Sequence, residues 1–285
     1  MTRIVYVNGC YLPESEASIS IFDRGFLMAD AVYEVIPVLN GNPIEAEGHL
    51  RRLQHSLDEL ELTHPLTVPD WGQIFHHLIL VNHLMEGLLY LQVTRGSAAD
   101  RAFSFPDPLH TSPTVVAFTQ HKPGLANNPL AETGMKLISL NDLRWSRCDI
   151  KTTQLLYPAL AKREAQKAGA DDAWLIRDGF VTEGSSSNAY IVKDGKLITR
   201  HLGNAILAGV TRTSVLRLAA EDGIPIEERS FTLQEVKAAD EAFLTSASTF
   251  VMPVVEIDGH PIGSGKPGPL TLNLRKRYVT LCHTH

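Results

Sequence analysis

Between Gln120 and Pro129 the chain reads Gln120-His121-Lys122-Pro123-Gly124-Leu125-Ala126-Asn127-Asn128-Pro129. Apolar periodicity stops there and turn-forming residues accumulate, as in a connection between separately packed bodies. The sequence therefore reads as a small N-terminal domain at 1–120, a linker at 121–129 and a larger C-terminal domain at 130–285. With 285 residues there is chain enough for two cores, and 44% hydrophobic against 20% charged residues excludes a disordered polymer.

Each half mixes strand and helix signals. In the first, Asn8-Gly9 separates Ile4–Val7 from Cys10–Leu12, and Asn40-Gly41-Asn42 follows a strand at Val32–Leu39. Asn-Gly supplies the positive φ angles of a tight hairpin. Leu50, Leu53, Leu57 and Leu60 recur at helical spacing, a second helix is expected over Trp71–Leu84, and strands over Leu88–Thr94 and Thr114–Thr119. In the second half, strands are expected at Met135–Leu140, Asp172–Arg177, Ala189–Val192, Glu241–Thr245 and Val251–Ile257. Helices are expected at Pro158–Ala168 and Thr211–Glu221. The elements do not alternate regularly as in a doubly wound sheet, so the fold class is α+β.

No apolar run reaches the roughly 18 residues that span a bilayer. Met1-Thr2-Arg3-Ile4-Val5-Tyr6 enters strand-like sequence directly, leaving no room for a signal peptide. Three cysteines, Cys10, Cys148 and Cys282, with no C-x-x-C pair, indicate neither a disulfide framework nor a zinc site. A formal charge of −6 disfavours a nucleic-acid surface. The expectation is a soluble cytoplasmic protein without membrane or nucleic-acid partners. Walker, H-E-x-x-H and G-x-S-x-G motifs are all missing from the sequence.

Three short segments carry usable chemistry. Lys151 follows an apolar residue in Arg147-Cys148-Asp149-Ile150-Lys151. Turned inward and desolvated it would favour the neutral amine that attacks carbonyls; turned outward it is a surface lysine. Glu183 precedes Gly184-Ser185-Ser186-Ser187, which is either a seat for a planar ligand or a polar hairpin loop. Gly209-Val210-Thr211 opens a helix, giving an anion site or an ordinary helix start. Ser246-Ala247-Ser248 offers another small turn, and Arg52 a cation on the leucine-striped helix.

Together these segments resemble the fold-type IV pyridoxal-phosphate aminotransferases, and within them the D-amino-acid (D-alanine) aminotransferases. The matching pieces run in order from Asp23-Arg24-Gly25 through Asp30–Val35, His49–Leu53, Gln92–Gly96, Arg144–Lys151, Thr182–Asn188 and Gly209–Arg212 to Val254–Gly259. The resemblance implies a small α/β domain, a larger domain with a barrel-like sheet, and pyridoxal 5'-phosphate between them. It implies that Lys151 carries the cofactor as a Schiff base and shuttles the proton, and that Glu183 holds the pyridine nitrogen protonated. Arg52, Val210, Thr211 and Ala247 would bind the phosphate, Leu207 would pack on a ring face, and Arg144 would approach the phenolic oxygen. Tyr33 and Val35 would line the substrate pocket with Arg101, Phe103, Ser246 and Ser248. A homodimer in which one subunit's loop completes the other's site, and ping-pong transfer between amino acids and 2-keto acids, are also implied.

The chain departs from that pattern in the carboxylate trap. Arg101 is present, but Phe103 stands where D-amino-acid members carry histidine, and Pro37 where they often carry lysine. A bidentate Arg101–carboxylate pair could suffice; D-amino acids should remain substrates, with weaker affinity for small polar ones and some activity on (R)-primary amines. An (R)-selective amine aminotransferase is thus the nearest rival. Branched-chain L-aminotransferases place a tyrosine where this chain has Leu156, one residue before Tyr157, and Gly-Thr-Ala where it has Ser246-Ala247-Ser248. Aminodeoxychorismate lyases differ around Tyr33-Glu34, and a binding protein without chemistry would not need both Lys151 and Glu183. His76, His77 and His83 face no acidic cluster, so metal binding is not expected. His49, one turn from Arg52, would position it or approach the phosphate; Cys148 reads as core packing, and His283 and His285 as tail.

Overall fold

The computed structural model describes residues 2–64 and 66–284. They form two compact units: residues 2–123 together with Ile150–Gln154, and Gly124–Asp149 together with Leu155–Thr284. Along the sequence the first change of unit falls between Pro123 and Gly124, inside the turn-rich run.

The first unit contains β1 (Ile4–Val7), β2 (Cys10–Pro13), α1 (Arg24–Met28), β3 (Ala31–Leu39), β4 (Asn42–Pro43), α2 (Ala46–Glu59), α3 (Val68–Val81), β5 (Glu86–Thr94) and β6 (Thr114–His121). Its six-stranded antiparallel sheet has the order β2-β1-β6-β5-β3-β4. Both Asn-Gly dipeptides make the expected turns, with φ +47° and +93° at Asn8 and Gly9, and +52° and +76° at Asn40 and Gly41. Leu50, Leu53 and Leu57 bury one face of α2. The next helix begins and ends three residues earlier than its apolar pattern predicts. Thr67 caps Asp70 in a reciprocal box with Pro69 in the first turn, and this local chemistry sets the start.

Ile150–Gln154, expected with the C-terminal half, belongs to the first unit. The reason is an open strand edge. β4 pairs only with Val38 and Leu39 of β3, so the start of β3 has backbone groups to satisfy. Thr153 donates to Ala31 O at 3.1 Å, Tyr33 donates to Lys151 O at 3.0 Å, and Val32 and Thr152 form an antiparallel bridge.

The second unit contains α4 (Leu130–Thr133), β7 (Met135–Asn141), α5 (Leu156–Lys167), β8 (Asp172–Arg177), β9 (Phe180–Gly184), β10 (Asn188–Lys193), β11 (Lys196–Thr199), α6 (Val210–Glu221), β12 (Ile226–Glu228), α7 (Leu233–Lys237), β13 (Glu241–Ser246), β14 (Phe250–Ile257), β15 (His260–Pro261) and α8 (Pro269–Thr284). The sheet order is β12-β11-β10-β13-β14-β7-β8-β9, with β15 on β14. From β9, at one end of that order, the chain enters β10 near the other end through only Ser185–Ser187. A flat sheet could not be bridged by three residues, so this one curls into a barrel-like form. Trp174, Phe231, Leu137, Ile191, Leu244 and Met252 fill its core. His283, read from sequence as tail, lies in the last turn of α8; His285 is outside the described residues. Strands and helices are intermixed along the chain without a regular β–α alternation, which makes the fold α+β, and no helix among the described residues is long and apolar enough to cross a membrane.

Gly96 sits at φ +84°, and a Cβ there would overlap the backbone carbonyl of Ser112. Gly96→Ala should therefore destabilise the protein by about 2–4 kcal/mol through backbone strain and overpacking. Its urea midpoint is expected to fall clearly below that of the unmodified protein; an equal midpoint would refute this close approach.

Candidate active site

Lys151 is gripped by its backbone. Its N–H donates to Ser56 Oγ at 3.1 Å, its carbonyl accepts from Tyr33, and Thr152 N–H bonds to Ile150 O at 2.9 Å across it as a γ-turn. The half-buried side chain lies over an aromatic ring: Nζ is 4.2 Å from the Tyr33 ring centroid. That ring stacks on Tyr90 at 5.7 Å, and Tyr90 on Phe118 at 4.7 Å. Val35, two residues from Tyr33 along β3, is half-buried on the same face.

On the opposite face Glu34 is wholly buried against α2. Arg52 grips it with two parallel bonds, Nε to Oε1 and Nη2 to Oε2, both 2.7 Å, and His49 Nδ1 lies 2.7 Å from Oε2. Burial alone would raise the Glu34 carboxyl, but Arg52 and His49 outweigh it and hold the group well below the usual carboxylate range. With Glu34 ionised, His49 Nδ1 must carry the proton it donates. Burial, the larger influence, also keeps His49 below the ordinary imidazole value despite Glu34. His49 thus steadies the carboxylate that grips Arg52 and lies 3.5 Å from Arg52 Nη2 itself. Glu34 was missed in sequence reading, although a carboxylate inside an otherwise apolar strand was the available signal.

Arg101 and Phe103 are in the long connection between β5 and β6. Both are exposed, Phe103 to 81%, and the Arg101 guanidinium lies 5.1 Å from the Phe103 ring centroid. The pair therefore faces outward, stacked on itself.

In the second unit Glu183, on β9, is buried and held on both oxygens. Arg144 Nη1 donates to Oε1 at 2.5 Å, Asn188 Nδ2 to Oε2 at 3.0 Å, and the Leu207 N–H reaches both at 3.2 to 3.3 Å. Arg144 is itself fixed by Asp142, through Nε at 2.9 Å and Nη2 at 2.8 Å. Desolvation raises the Glu183 carboxyl above its ordinary value, Arg144 opposes this, and Asp142 adds to the rise. Asp142 and Asn188 were not picked out from sequence, because their importance depends on pairing across β7, β9 and β10. Tyr157 hydrogen-bonds the Asn141 carbonyl with its hydroxyl, and Leu156 is exposed. Neither resembles a tyrosine offered to a ligand. Cys148 is buried, with its thiol donating to Trp145 O at 3.2 Å; burial pushes it up, away from the reactive thiolate.

Helix α6 starts at Val210 behind Gly209 with no side-chain cap, so the first-turn N–H groups of Val210 and Thr211 present an uncapped helix N-terminus. Asn188 Oδ1 would collide with any Cβ at Gly209, which keeps that approach small. Ser246, which ends β13, and Ala247 and Ser248 just beyond it are half-buried; Ser246 Oγ is 3.3 Å from Ser248 Oγ and 2.7 Å from Thr249 Oγ1. Ser187 Oγ is buried without a hydrogen-bond partner among the described residues. An orphaned hydroxyl, an uncapped helix and a buried acid with a raised pKa are compatible with a ligand carrying a phosphate and a basic ring nitrogen, as pyridoxal 5'-phosphate does.

These features define a class. Residues 31–257 match the family model for amino-transferase class IV, and the chain belongs to that family of pyridoxal-phosphate enzymes. It is 41% identical over 271 residues to a D-alanine aminotransferase of Bacillus licheniformis, covering 95% of this chain and 94% of that one. It is 38% identical over 281 residues to a D-alanine aminotransferase of Staphylococcus aureus strain N315, covering 99% and 98%. Among solved structures, the branched-chain aminotransferase of Thermobaculum terrenum in its PLP form superposes with a TM-score of 0.86 at 26% identity, over 99% of this chain and 94% of that one.

The Glu34–His49 pair makes stability depend on pH. His49 binds protons less readily when folded, so its contribution is complete above its ordinary value of 6.5 and declines as pH falls below it. Glu34 acts with the same sign below 4.5. The thermal midpoint is expected to fall from pH 7 to pH 5, and His49→Gln should flatten that slope relative to the unmodified protein. Identical slopes would remove His49 as the titrating group.

Proposed function

We propose that this chain transfers the amino group between D-amino acids of the D-alanine type and 2-keto acids, in two half-reactions on one pyridoxal 5'-phosphate. The observation that carries this reading is the likeness to D-alanine aminotransferases over nearly the full length of both chains. Lys151 would hold the cofactor until substrate displaces it, and the cofactor would supply an electron sink for negative charge at the substrate α-carbon.

The chain's residues do the rest. Lys151 Nζ moves the proton between the substrate α-carbon and the cofactor C4′; the Ser56 and Tyr33 bonds to its backbone fix the origin of that side chain. Glu183, raised by burial, is basic enough to keep a proton shared with the ring nitrogen. Arg144 and Asn188 orient it, so Arg144 serves the acid as well as any phenolic oxygen. Val210, Thr211, Ala247 and Arg52 hold the phosphate, and Leu207 packs on the ring. Tyr33, Val35, Ser246 and Ser248 line the substrate pocket. Arg101 takes the substrate carboxylate, and Phe103 makes that end more apolar than a histidine would. The working form is a cytoplasmic homodimer in which Arg101 and Phe103 serve the partner's substrate, a reading supported by their outward exposure in one chain.

The test is amino transfer from D-alanine to a 2-keto acid by the purified, cofactor-loaded protein. Lys151→Ala should lower kcat roughly a thousandfold or more, and Arg101→Ala should raise the KM for D-alanine about tenfold or more. Turnover of (R)-1-phenylethylamine with none of D-alanine would replace this reading by the amine one.

A further inference from the structure

The connection between β5 and β6 is built as a closed loop on a charged base. Gly96 and Ser112 meet at its neck, while Arg24 donates its backbone N–H to Gly96 O at 2.9 Å. Beneath the loop a single carboxylate oxygen, Asp30 Oδ2, accepts from Arg24 Nε at 2.7 Å and from Arg95 Nε at 2.8 Å. These side chains are only 5%, 9% and 11% exposed for Arg24, Asp30 and Arg95. Two guanidinium groups against one carboxylate leave a surplus positive charge in a nearly dry place, which must be met by other acceptors.

Backbone carbonyls and an aromatic face meet it. Arg95 reaches Leu60 O at 2.7 Å and Glu61 O at 3.2 Å. Arg24 Nη1 reaches into the loop, to Ala102 O at 2.6 Å and Ser104 O at 3.2 Å. Phe105 lays its ring over both cations, 4.0 Å from Arg95 and 5.4 Å from Arg24. The two clamped carbonyls flank Phe103, and the first follows Arg101 directly. Both of those side chains are exposed.

We propose that Arg24, anchored on Asp30 and backed by Arg95 and Phe105, is a positioning residue that sets where Arg101 is presented to the substrate carboxylate. It touches no substrate; its effect passes through the backbone of Ala102 and Ser104. The proposal rests on the reading above only in assigning Arg101 to the carboxylate, and the loop geometry can be examined without it.

Two measurements on the holoenzyme test it. Trypsin can cut after Arg101, and in Arg24→Met that bond should be nicked at least about tenfold faster, since local opening governs such cleavage. Phe105→Ser loosens the same loop without stranding a buried charge, and should also speed the cut. In the second measurement, Arg24→Met should raise the KM for D-alanine about tenfold while kcat falls by about twofold or less. Added to Arg101→Ala it should raise KM no further, because both changes remove one interaction. Tryptic cutting at the unmodified rate in both variants would overturn the clamp. An additive rise in KM in the double variant would overturn its action through Arg101. If Arg101→Ala alone leaves KM unchanged, the assignment of the carboxylate to Arg101 fails instead, and the cutting rates still decide the clamp.

Discussion

Lys151 gains its position from an unfilled strand edge. A short partner strand leaves the first residues of β3 with backbone groups to satisfy, and Ile150–Thr153 fills that edge. A flexible four-carbon amine thereby starts from a fixed point, with Tyr33 beneath it. Every chemical role assigned to Lys151 depends on that docking, because a mobile lysine of the same sequence would be an ordinary surface cation. The ladder bonds do what side-chain packing alone could not, since they fix register as well as proximity.

The alternation of β3 extends this constraint. Tyr33 and Val35 point to one face and Glu34 to the other. One strand therefore serves the amine on one side and secures Arg52 on the other. A one-residue slip would exchange these faces, burying Tyr33 under α2 and leaving Arg52 and His49 without their carboxylate.

Local chemistry was legible in the sequence. The Asn-Gly turns, the leucine stripe of α2 and the ordered motif set that marks the family all act over short stretches. Pairings between distant segments were hidden. Nothing near Lys151 says that its backbone completes an edge at Tyr33, and nothing in Asp142-Leu143-Arg144 says that the arginine ends on Glu183. Strand β11 is four residues long, too short for a reliable alternation, and α8 carries its apolar residues without a clean stripe. Local cues also outweighed periodicity at α3, where the Thr67–Asp70 box moved the start ahead of the apolar pattern.

The buried ion clusters differ in how their charges are met, and that difference tracks what each holds. Glu34 with Arg52 and a neutral His49 is balanced, and it is the most enclosed. Asp142 and Glu183 share Arg144, and Asp142 also meets Arg177 at 3.2 Å, so it is chiefly burial that raises Glu183 and favours a proton or a protonated ring nitrogen beside it. Arg24 and Arg95 share Asp30, leaving a positive excess that gathers loop carbonyls and the Phe105 ring. In a dry interior an imbalance of one charge is too unfavourable to stand alone. The excess at Arg24 is therefore a demand for the backbone of the loop that carries Arg101, as burial at Glu183 is a demand for a cationic ligand atom.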